Sequence, residues 1–301
     1  MHPMSEGLER DPLAWQPVSQ LADRVAAMVV GTIALGVSGS LAWILWDVIG
    51  GAVGSPGSWW AFLTEAPRKL GVVGGIGSVL VSTFLILLVC LGMALPLGLG
   101  TAVLLTETAT TRGDVGLARF VRRSLDVLAG IPSIVFGLFG SVFFCQLMGL
   151  GFSILAGGLT LTCMVLPLFI RAAEDGLRAV PDGWRQGAAA LGLSRFATLR
   201  RVVLPAALPG LAVGLVLAVG RALSETAALL FTAGSVLRMP DSLDDSGRAL
   251  SVHVYELSMF VNGGDTAAQR SAAVLVGLLL LINLGASIVA RRSEQRGVRH
   301  L

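Results

Sequence analysis

Long uncharged apolar segments alternate with short charged segments along the chain. No Asp, Glu, Lys or Arg occurs in residues 70–106, 127–170 or 271–290. A helix of about 20 apolar residues crosses the roughly 30 Å hydrocarbon core of a bilayer. We therefore predict six membrane-spanning helices. They are expected at about residues 25–46, within 72–105, twice within 127–170, at 208–232 and at 271–290.

Glycines indicate how the spans turn and pack. Gly149–Ser153 is the natural tight turn that divides the uncharged stretch 127–170 into two spans. Small residues also recur four positions apart, at Gly71 and Gly75 and again at Gly210 and Gly214. Such pairs allow helix backbones to approach closely. We expect both pairs to lie in helices and to pack within one subunit.

The distribution of basic residues predicts the orientation. With six spans, both termini lie on the same side. Of 22 basic residues, 16 fall in segments 1–24, 106–126, 171–204 and 291–301, and 5 fall in 47–70 and 233–270. Basic residues concentrate in cytoplasmic loops. The predicted organisation is a cytoplasmic segment 1–24, a first span 25–49, an external loop 50–70, a core 71–290 with five spans and a cytoplasmic loop 171–204, and a cytoplasmic basic tail 291–301.

Composition excludes several classes of protein. The 301 residues are 54% hydrophobic and 14% charged, with a mean hydropathy of +0.79, whereas soluble domains are about 25% charged. The net charge of +3 is explained by the loop asymmetry, without nucleic-acid binding. The single lysine, Lys69, follows no glycine-rich turn, so a phosphate-binding P-loop is absent. We find no metal-ligand spacing and no nucleophile–base motif, and we predict a non-catalytic chain without metal or cofactor.

The cytoplasmic loop 171–204 contains its own helix signals. Asp182 is placed to cap a helix over residues 183–191, Gly192 suits the position after it, and Ser194 is placed to cap a second helix over 195–203 that Pro205 ends. The small side chains of the first helix favour docking in the groove of a soluble partner. The alternative is a solvated basic loop that lipid phosphates hold.

A second unusual segment lies inside the predicted fifth span. Arg221 and Glu225 are four residues apart and would share one helical face. A charge at the centre of a bilayer costs at least about 2.5–3.5 kcal/mol, so such residues line a cavity or pair with each other. A guanidinium also donates parallel hydrogen bonds to oxyanions. Arg221 and Glu225, with Ser224 and Thr226, are therefore candidate residues of a substrate pathway, and a purely structural ion pair is the alternative.

The cytoplasmic loop resembles a known motif. Gln186-Gly187-Ala188, three residues, Gly192, nine residues and Val202-x-Leu204-Pro205 are similar to the EAA motif of ABC-importer permeases, with Gln186 and Gly187 in place of Glu and Ala. The resemblance implies that this loop docks on an ATPase. Gln186, Gly187, Ala188 and Gly192 are the coupling residues that it implies.

Other segments resemble one branch of that family. Residues 220–227, 128–140 and 202–210 are similar to stretches of phosphate-specific ABC permeases, and residues 251–255 favour the A-type subunit. The resemblance implies a type I ABC importer permease fold of six transmembrane helices in a prokaryotic plasma membrane. It also implies alternating access, a heterodimer with a C-type permease, an ATPase dimer that binds the ATP, and an external phosphate-binding protein.

Two other functions are compatible with the same residues. One arginine would serve another oxyanion, such as molybdate or sulfate, equally well. A non-transporting membrane sensor or structural subunit would keep the loop as a partner site and leave Arg221 and Glu225 as an ion pair.

Overall fold

The computed structural model describes residues 20–54, 57–108 and 115–298, and these are mostly helical. The chain divides into two compact units, residues 1–47 and 48–301. The described part of the first unit is one apolar helix. The predicted N-terminal segment 1–24 and tail 291–301 lie mostly outside the described residues or have undescribed side chains, so their roles stay predictions.

The described helices and strands follow one another in this order: α1 Gln20–Val53, α2 Trp59–Thr64, β1 Pro67–Arg68, β2 Val73–Gly74, α3 Gly77–Val103, α4 Val115–Ala129, α5 Ser133–Gly140, α6 Ile154–Arg178, α7 Asp182–Ala190, α8 Arg195–Thr198, α9 Leu204–Leu223, α10 Ala227–Leu230, α11 Leu250–Phe260 and α12 Asp265–Val298. Wider, π-helical turns continue three of them, at Leu104–Thr108 after α3, Ser141–Leu147 after α5 and Leu199–Val203 after α8.

The helices long and apolar enough to cross a bilayer agree with the predicted fold class. Five single helices of the described chain qualify, and the pair formed by residues 116–129 and 133–147 makes a sixth if it counts as one span. This pair is bent by 99°. The sequence predicted a turn at Gly149–Ser153, and that turn does separate α5, with its π-helical end, from α6. The sharp bend before α5 was not predicted.

Helix α6 is the centre of the second unit. Its side chains Leu161, Val165 and Phe169 are buried and pack with Ile86 of α3 and Ala218 of α9 in one apolar core. Ile86, Leu161, Val165 and Phe169 come from the uncharged stretches 70–106 and 127–170, and Ala218 comes from the predicted fifth span. The apolar segments that predicted these helices therefore also supply the side chains that are buried between them.

Only one of the two predicted glycine pairs packs helices together. A Cβ on Gly210 would lie 2.6 Å from the Cα of Gly176, and one on Gly214 would lie 2.9 Å from the Cβ of Ala172. These contacts bring α9 against α6 within the chain, as predicted. Gly71 and Gly75 precede α3, so the prediction that they pair within a helix is wrong.

The residues before α3 form a small hairpin that hydropathy does not predict. β1 and β2 pair antiparallel, with Pro67 opposite Gly74 and Arg68 opposite Val73. Lys69 and Leu70 have positive φ angles of 45° and 60° in the turn between them. The predicted external loop 50–70 therefore contains a helix and a strand.

Two predicted helix ends are wrong. The chain remains helical through Pro205, which occupies the first turn of α9, where its missing N–H removes no essential hydrogen bond. The π-helical turn Leu199–Val203 directly precedes it. The predicted fifth span 208–232 ends early, at Leu223, and residues 227–230 form the separate short helix α10.

Candidate functional site

Arg221 and Glu225 form an ion pair across the end of α9. The Arg221 Nη2 atom lies 3.6 Å from Glu225 Oε2. The predicted pairing is therefore present, but the two residues do not share one helix, because α9 ends between them. The Arg221 side chain is 48% exposed and the Glu225 side chain is 5% exposed. The pair thus presents a cation and hides its carboxylate.

Both the side chain and the backbone carbonyl of Glu225 accept hydrogen bonds. Its carboxylate accepts a long hydrogen bond, 3.5 Å, from the backbone N–H of Ala228, and its carbonyl oxygen accepts one of 2.5 Å from the hydroxyl of Ser251 in α11. The Ser251 hydroxyl therefore satisfies a carbonyl at the break between α9 and α10. This contact stabilises the break, since a carbonyl bonded from outside needs no helical partner.

Arg221 makes few contacts for a residue with five N–H donors. Besides Glu225, the described residues place only the sulfur of Met164, at 3.9 Å, within bonding range of its guanidinium. Neither contact has the short, straight geometry of a strong hydrogen bond. The donors of Arg221 therefore remain available to an oxyanion.

The two hydroxyl candidates beside this pair differ in environment. Ser224 is exposed, but its hydroxyl donates back to the carbonyl oxygens of Gly220, at 2.9 Å, and Arg221, at 3.2 Å. Thr226 is half-buried, and it precedes α10 without capping it through its side chain. Both residues follow Arg221 closely in the chain. Ser224 can offer its proton to a ligand only by leaving these carbonyls.

A glycine of the segment 128–140 packs against the segment 220–227. A Cβ on Gly137 would lie 2.9 Å from the Cα of Ala228 and 3.3 Å from the carbonyl oxygen of Ala227. Hence α5 touches α10 directly, just after the Arg221–Glu225 pair. Two segments that the sequence singled out separately thus form one packed region.

The cytoplasmic loop has the predicted bend but a different helix start. Gly192 has a φ angle of 74°, the left-handed conformation that favours glycine. The Ser194 hydroxyl accepts from the N–H of Ala197 at 3.3 Å, as a cap does. Pro181, not Asp182, precedes α7, and Asp182 instead pairs with Arg185 at 3.3 Å. The loop also starts later than predicted, because α6 extends to Arg178.

The candidate coupling residues divide into exposed and buried positions. Gln186 and Gly187 are exposed, and a Cβ on Gly187 would meet nothing within 4 Å. Ala188 is buried, 5% exposed, and its side chain packs within this chain. The roles of Gln186, Gly187, Ala188 and Gly192 in docking stay predictions.

The exposed apolar residues of this loop were not singled out from the sequence. Trp184, Leu191 and Phe196 are 46%, 83% and 71% exposed. Leu191 and Phe196 flank Gly192 in the chain, Trp184 lies in α7 before them, and we call these three residues together the apolar loop surface. Only their exposure distinguishes them from core residues, and that requires the structure.

The same loop is tied to the helices by Arg185. Its guanidinium donates to Glu107 at 2.9 Å and 3.1 Å and to the carbonyl oxygens of Leu177 at 2.9 Å and Val180 at 2.7 Å. These bonds join α7 to the ends of α3 and α6. No local pattern predicts this link, because Arg185 and Glu107 are 78 residues apart.

A buried polar cluster lies between the hairpin and α11. Arg248 pairs with Glu256 at 2.6 Å and donates to the carbonyl oxygen of Ser235 at 2.7 Å. His253 is fully buried beside it, and a Cβ on Gly71 would lie 2.5 Å from its ring. Burial, with a smaller effect of Arg248, lowers the pKa of His253 to about 4, so its ring is neutral at pH 7. This cluster was not predicted, although Arg248, His253 and Glu256 lie within nine residues of one another.

Comparison with known families gives one match over most of the chain. Residues 94–298 match the family described as "Binding-protein-dependent transport system inner membrane component". The probable ABC transporter permease protein YqgI of Bacillus subtilis is 34% identical over 240 residues, which cover 75% of this chain and 81% of the relative. The phosphate transport system permease protein PstA 1 of Mycobacterium tuberculosis is 34% identical over 255 residues, covering 83% and 81%.

Solved structures with the same fold are also transporters. A chain of the MetNI methionine ABC transporter, in an inward-facing conformation, aligns with a TM-score of 0.56 at 21% identity, over 73% of this chain and 94% of that one. A chain of a bacterial ABC transporter that imports alginate aligns with a TM-score of 0.54 at 16% identity, over 90% and 98%. At such identities the likeness concerns the fold alone.

Proposed function

The chain belongs to the family of binding-protein-dependent transport system inner membrane components, and from this membership we propose that it is the A-type permease subunit of an inorganic phosphate importer. It is a multi-pass membrane permease subunit of an ABC importer. The substrate, the partner subunits and the orientation are the proposal. The observation that carries the substrate is the half-exposed guanidinium of Arg221 beside a buried carboxylate.

The geometry of Arg221 suits a phosphate that must bind and then leave. A guanidinium recognises phosphate oxygens through paired N–H donors. Glu225 reduces the net positive charge and, at 3.6 Å, occupies few of the donors. A bare arginine would attract the anion more strongly and release it more slowly. The similarity to phosphate transport permeases supports phosphate over molybdate or sulfate.

Energy for transport comes from outside this chain in the proposed mechanism. The chain has no P-loop lysine, so a partner ATPase dimer binds and hydrolyses ATP, and this subunit has neither catalytic role nor cofactor. The loop around Gly192 docks on that ATPase through the apolar loop surface. Movement there reaches α3 and α6 through Arg185, because its hydrogen bonds join all three elements. A C-type permease completes the pathway, and an external binding protein delivers phosphate.

Uptake by the complete complex tests the substrate. The complex is purified with its partners, reconstituted into vesicles with ATP inside, and supplied with the binding protein and labelled phosphate outside. We expect labelled phosphate to accumulate only when ATP is present. Excess unlabelled phosphate should abolish this accumulation, whereas sulfate or molybdate at the same concentration should leave it nearly unchanged. Stronger competition by molybdate or sulfate would assign the chain to that oxyanion. No accumulation with any of these anions would favour a sensor or structural subunit.

The proposed orientation places both termini and the Gly192 bend in the cytoplasm. A cysteine at Ser194, in a chain whose three native cysteines are replaced, should resist a membrane-impermeant thiol reagent in intact cells. The same cysteine should react quickly once the membrane is opened in cells that lack the ATPase, because Ser194 is exposed in this chain. Ser242→Cys, in the exposed loop before α11, is the matched control and should react in intact cells. Rapid labelling at residue 194 from outside would reverse the topology.

A further inference from the structure

Helix α4 has three distinct faces. Ala118, Val121 and Leu125 turn towards the rest of the chain and pack with Leu105 and Ile170. Leu117, Phe120 and Val127 lie on another side of the helix and are 63%, 68% and 69% exposed. Arg119 and Arg123, one helical turn apart and both exposed, lie between these two faces. A helix with a protein face, an apolar exposed face and a basic face between them is typical of helices that lie in a membrane surface.

The bend after α4 indicates how this helix lies. The chain turns by 99° between α4 and the uncharged helix that starts at Ser133. A helix that continues into an apolar span after a right-angle bend runs along the membrane plane. Gly130 and Pro132 account for the break, because the residue before a proline avoids the helical conformation. At 15 residues, α4 is about 22 Å long.

Ion pairs and a hydrogen bond fix the depth of α4. Arg122 pairs with Glu174 at 2.8 Å and donates to the carbonyl oxygen of Leu105 at 3.0 Å, while Asp126 pairs with Arg171. Arg171 is the first charged residue after the uncharged stretch 127–170, and Leu105 stands at the end of the uncharged stretch 70–106. Hence α4 is anchored where two neighbouring spans leave the apolar region, which is the level of the lipid headgroups.

Arg119 and Arg123 have no acidic partner among the described residues. In the parts of the chain that the structure describes, neither forms an ion pair or a side-chain hydrogen bond, in contrast to Arg122 on the same helix. Two neighbouring cations at headgroup level attract anionic lipid phosphates, by about 1 kcal/mol for each. The apolar face beside them explains why the phosphate belongs to a lipid, since a free anion would not cover Phe120.

We propose that α4 is an interfacial helix that binds anionic phospholipid. Leu117, Phe120 and Val127 lie among the acyl chains, and Arg119 and Arg123 bind the headgroup phosphates. Because Arg122 and Asp126 tie α4 to α6, and α6 leads directly into the cytoplasmic loop, bound lipid braces the base of that loop. This inference requires the membrane location of the chain and is independent of which anion is transported.

The depth of α4 is tested with a nitroxide on Leu117→Cys, in the reconstituted complex with its native cysteines replaced. Vesicles contain phosphatidylcholine and phosphatidylglycerol at 3:1. We expect collisions with oxygen to exceed those with a water-soluble nickel chelate at residue 117, and the reverse at Ser242→Cys. Low accessibility to both reagents at residue 117 would show that a partner protein covers the face. Dominance of the nickel chelate would show that it faces water. Either result overturns the proposal.

The headgroup preference is tested by charge removal. Arg119→Gln with Arg123→Gln should lower the ratio of bound phosphatidylglycerol to phosphatidylcholine, measured by mass spectrometry of the purified complex, by about fivefold per arginine. Arg119→Lys with Arg123→Lys keeps the charges and should keep the ratio. Arg68→Gln with Lys69→Gln removes two exposed charges elsewhere and is the matched control. An unchanged ratio in the glutamine pair, or an equal loss in the control, contradicts headgroup binding at α4.

Discussion

Replacing Arg221 by glutamine is expected to abolish phosphate uptake while the complex still assembles. The half-exposed guanidinium leaves space for the shorter amide, so folding should be preserved. The anion, however, loses its cationic partner in this subunit. A hydrogen bond to a charged group contributes about 1.5–3 kcal/mol, and two lost bonds predict a reduction of at least about 100-fold in initial uptake rate. Labelled phosphate uptake in vesicles measures it.

A double substitution separates transport from structure at this site. Arg221→Gln alone leaves Glu225 as a buried carboxylate without its partner, which is unfavourable whatever the site does. Arg221→Gln with Glu225→Gln removes both charges. If Arg221 serves only the ion pair, the double variant should regain uptake. If it binds the anion, uptake should stay absent while ATPase association is normal.

Arg221→Lys gives a finer distinction. Lysine keeps the positive charge but lacks the planar fork of donors. Partial uptake with weaker discrimination between phosphate and sulfate would be expected of an anion site. Normal uptake by the lysine variant together with recovery in the double glutamine variant would remove Arg221 from the substrate pathway.

The membrane spans could be predicted because charge is excluded from hydrocarbon. The uncharged stretches predict α3, α6 and α12 from length alone, and the corresponding helices are found. Local capping chemistry also succeeded at Gly192 and Ser194, since each depends only on residues within one turn. These features require no knowledge of distant contacts.

The break after α9 was not predicted, and one of the contacts that stabilise it comes from a distant residue. Residues 208–219 and 227–232 are largely apolar, and the polar residues between them were interpreted as part of one helix, not as its end. The Ser251 hydroxyl, 26 residues away, bonds to the carbonyl of Glu225 and stabilises the break. Arg221 and Glu225 were identified correctly as a pair, but their unequal exposure, which gives the site its charge, depends on this break.

Local residues indicated the bend before α5, but the long uncharged stretch around them suggested an unbroken span. Gly130 and Pro132 are helix-breaking residues, but they lie inside the uncharged stretch 127–170, which suggested two uninterrupted spans. The ion pairs that hold α4, from Arg122 to Glu174 and from Asp126 to Arg171, connect residues 52 and 45 positions apart. The sequence places these charged residues at the ends of different hydrophobic stretches, and it does not indicate which of them form ion pairs with each other.

The apolar loop surface should be essential for holding the ATPase. Leu191→Asp with Phe196→Asp places two charges at side chains that are 83% and 71% exposed. Folding of this chain should be little affected, because neither side chain is buried in it. Burying a leucine or phenylalanine side chain contributes about 1.5–3 kcal/mol. Loss of both predicts an affinity for the ATPase lower by roughly 10³-fold, read as loss of the ATPase during affinity purification.

The matched control uses the same residue types elsewhere. Leu70→Asp with Phe260→Asp changes a leucine and a phenylalanine that are 68% and 72% exposed outside the loop. This variant should retain the ATPase, since the proposed orientation places both residues on the external side. Retention of the ATPase by the loop variant would contradict docking through Leu191 and Phe196. Loss of the ATPase from both variants would show that added charge, not the docking surface, disrupts the complex. Only loss of the ATPase from the loop variant alone supports coupling at the Gly192 bend.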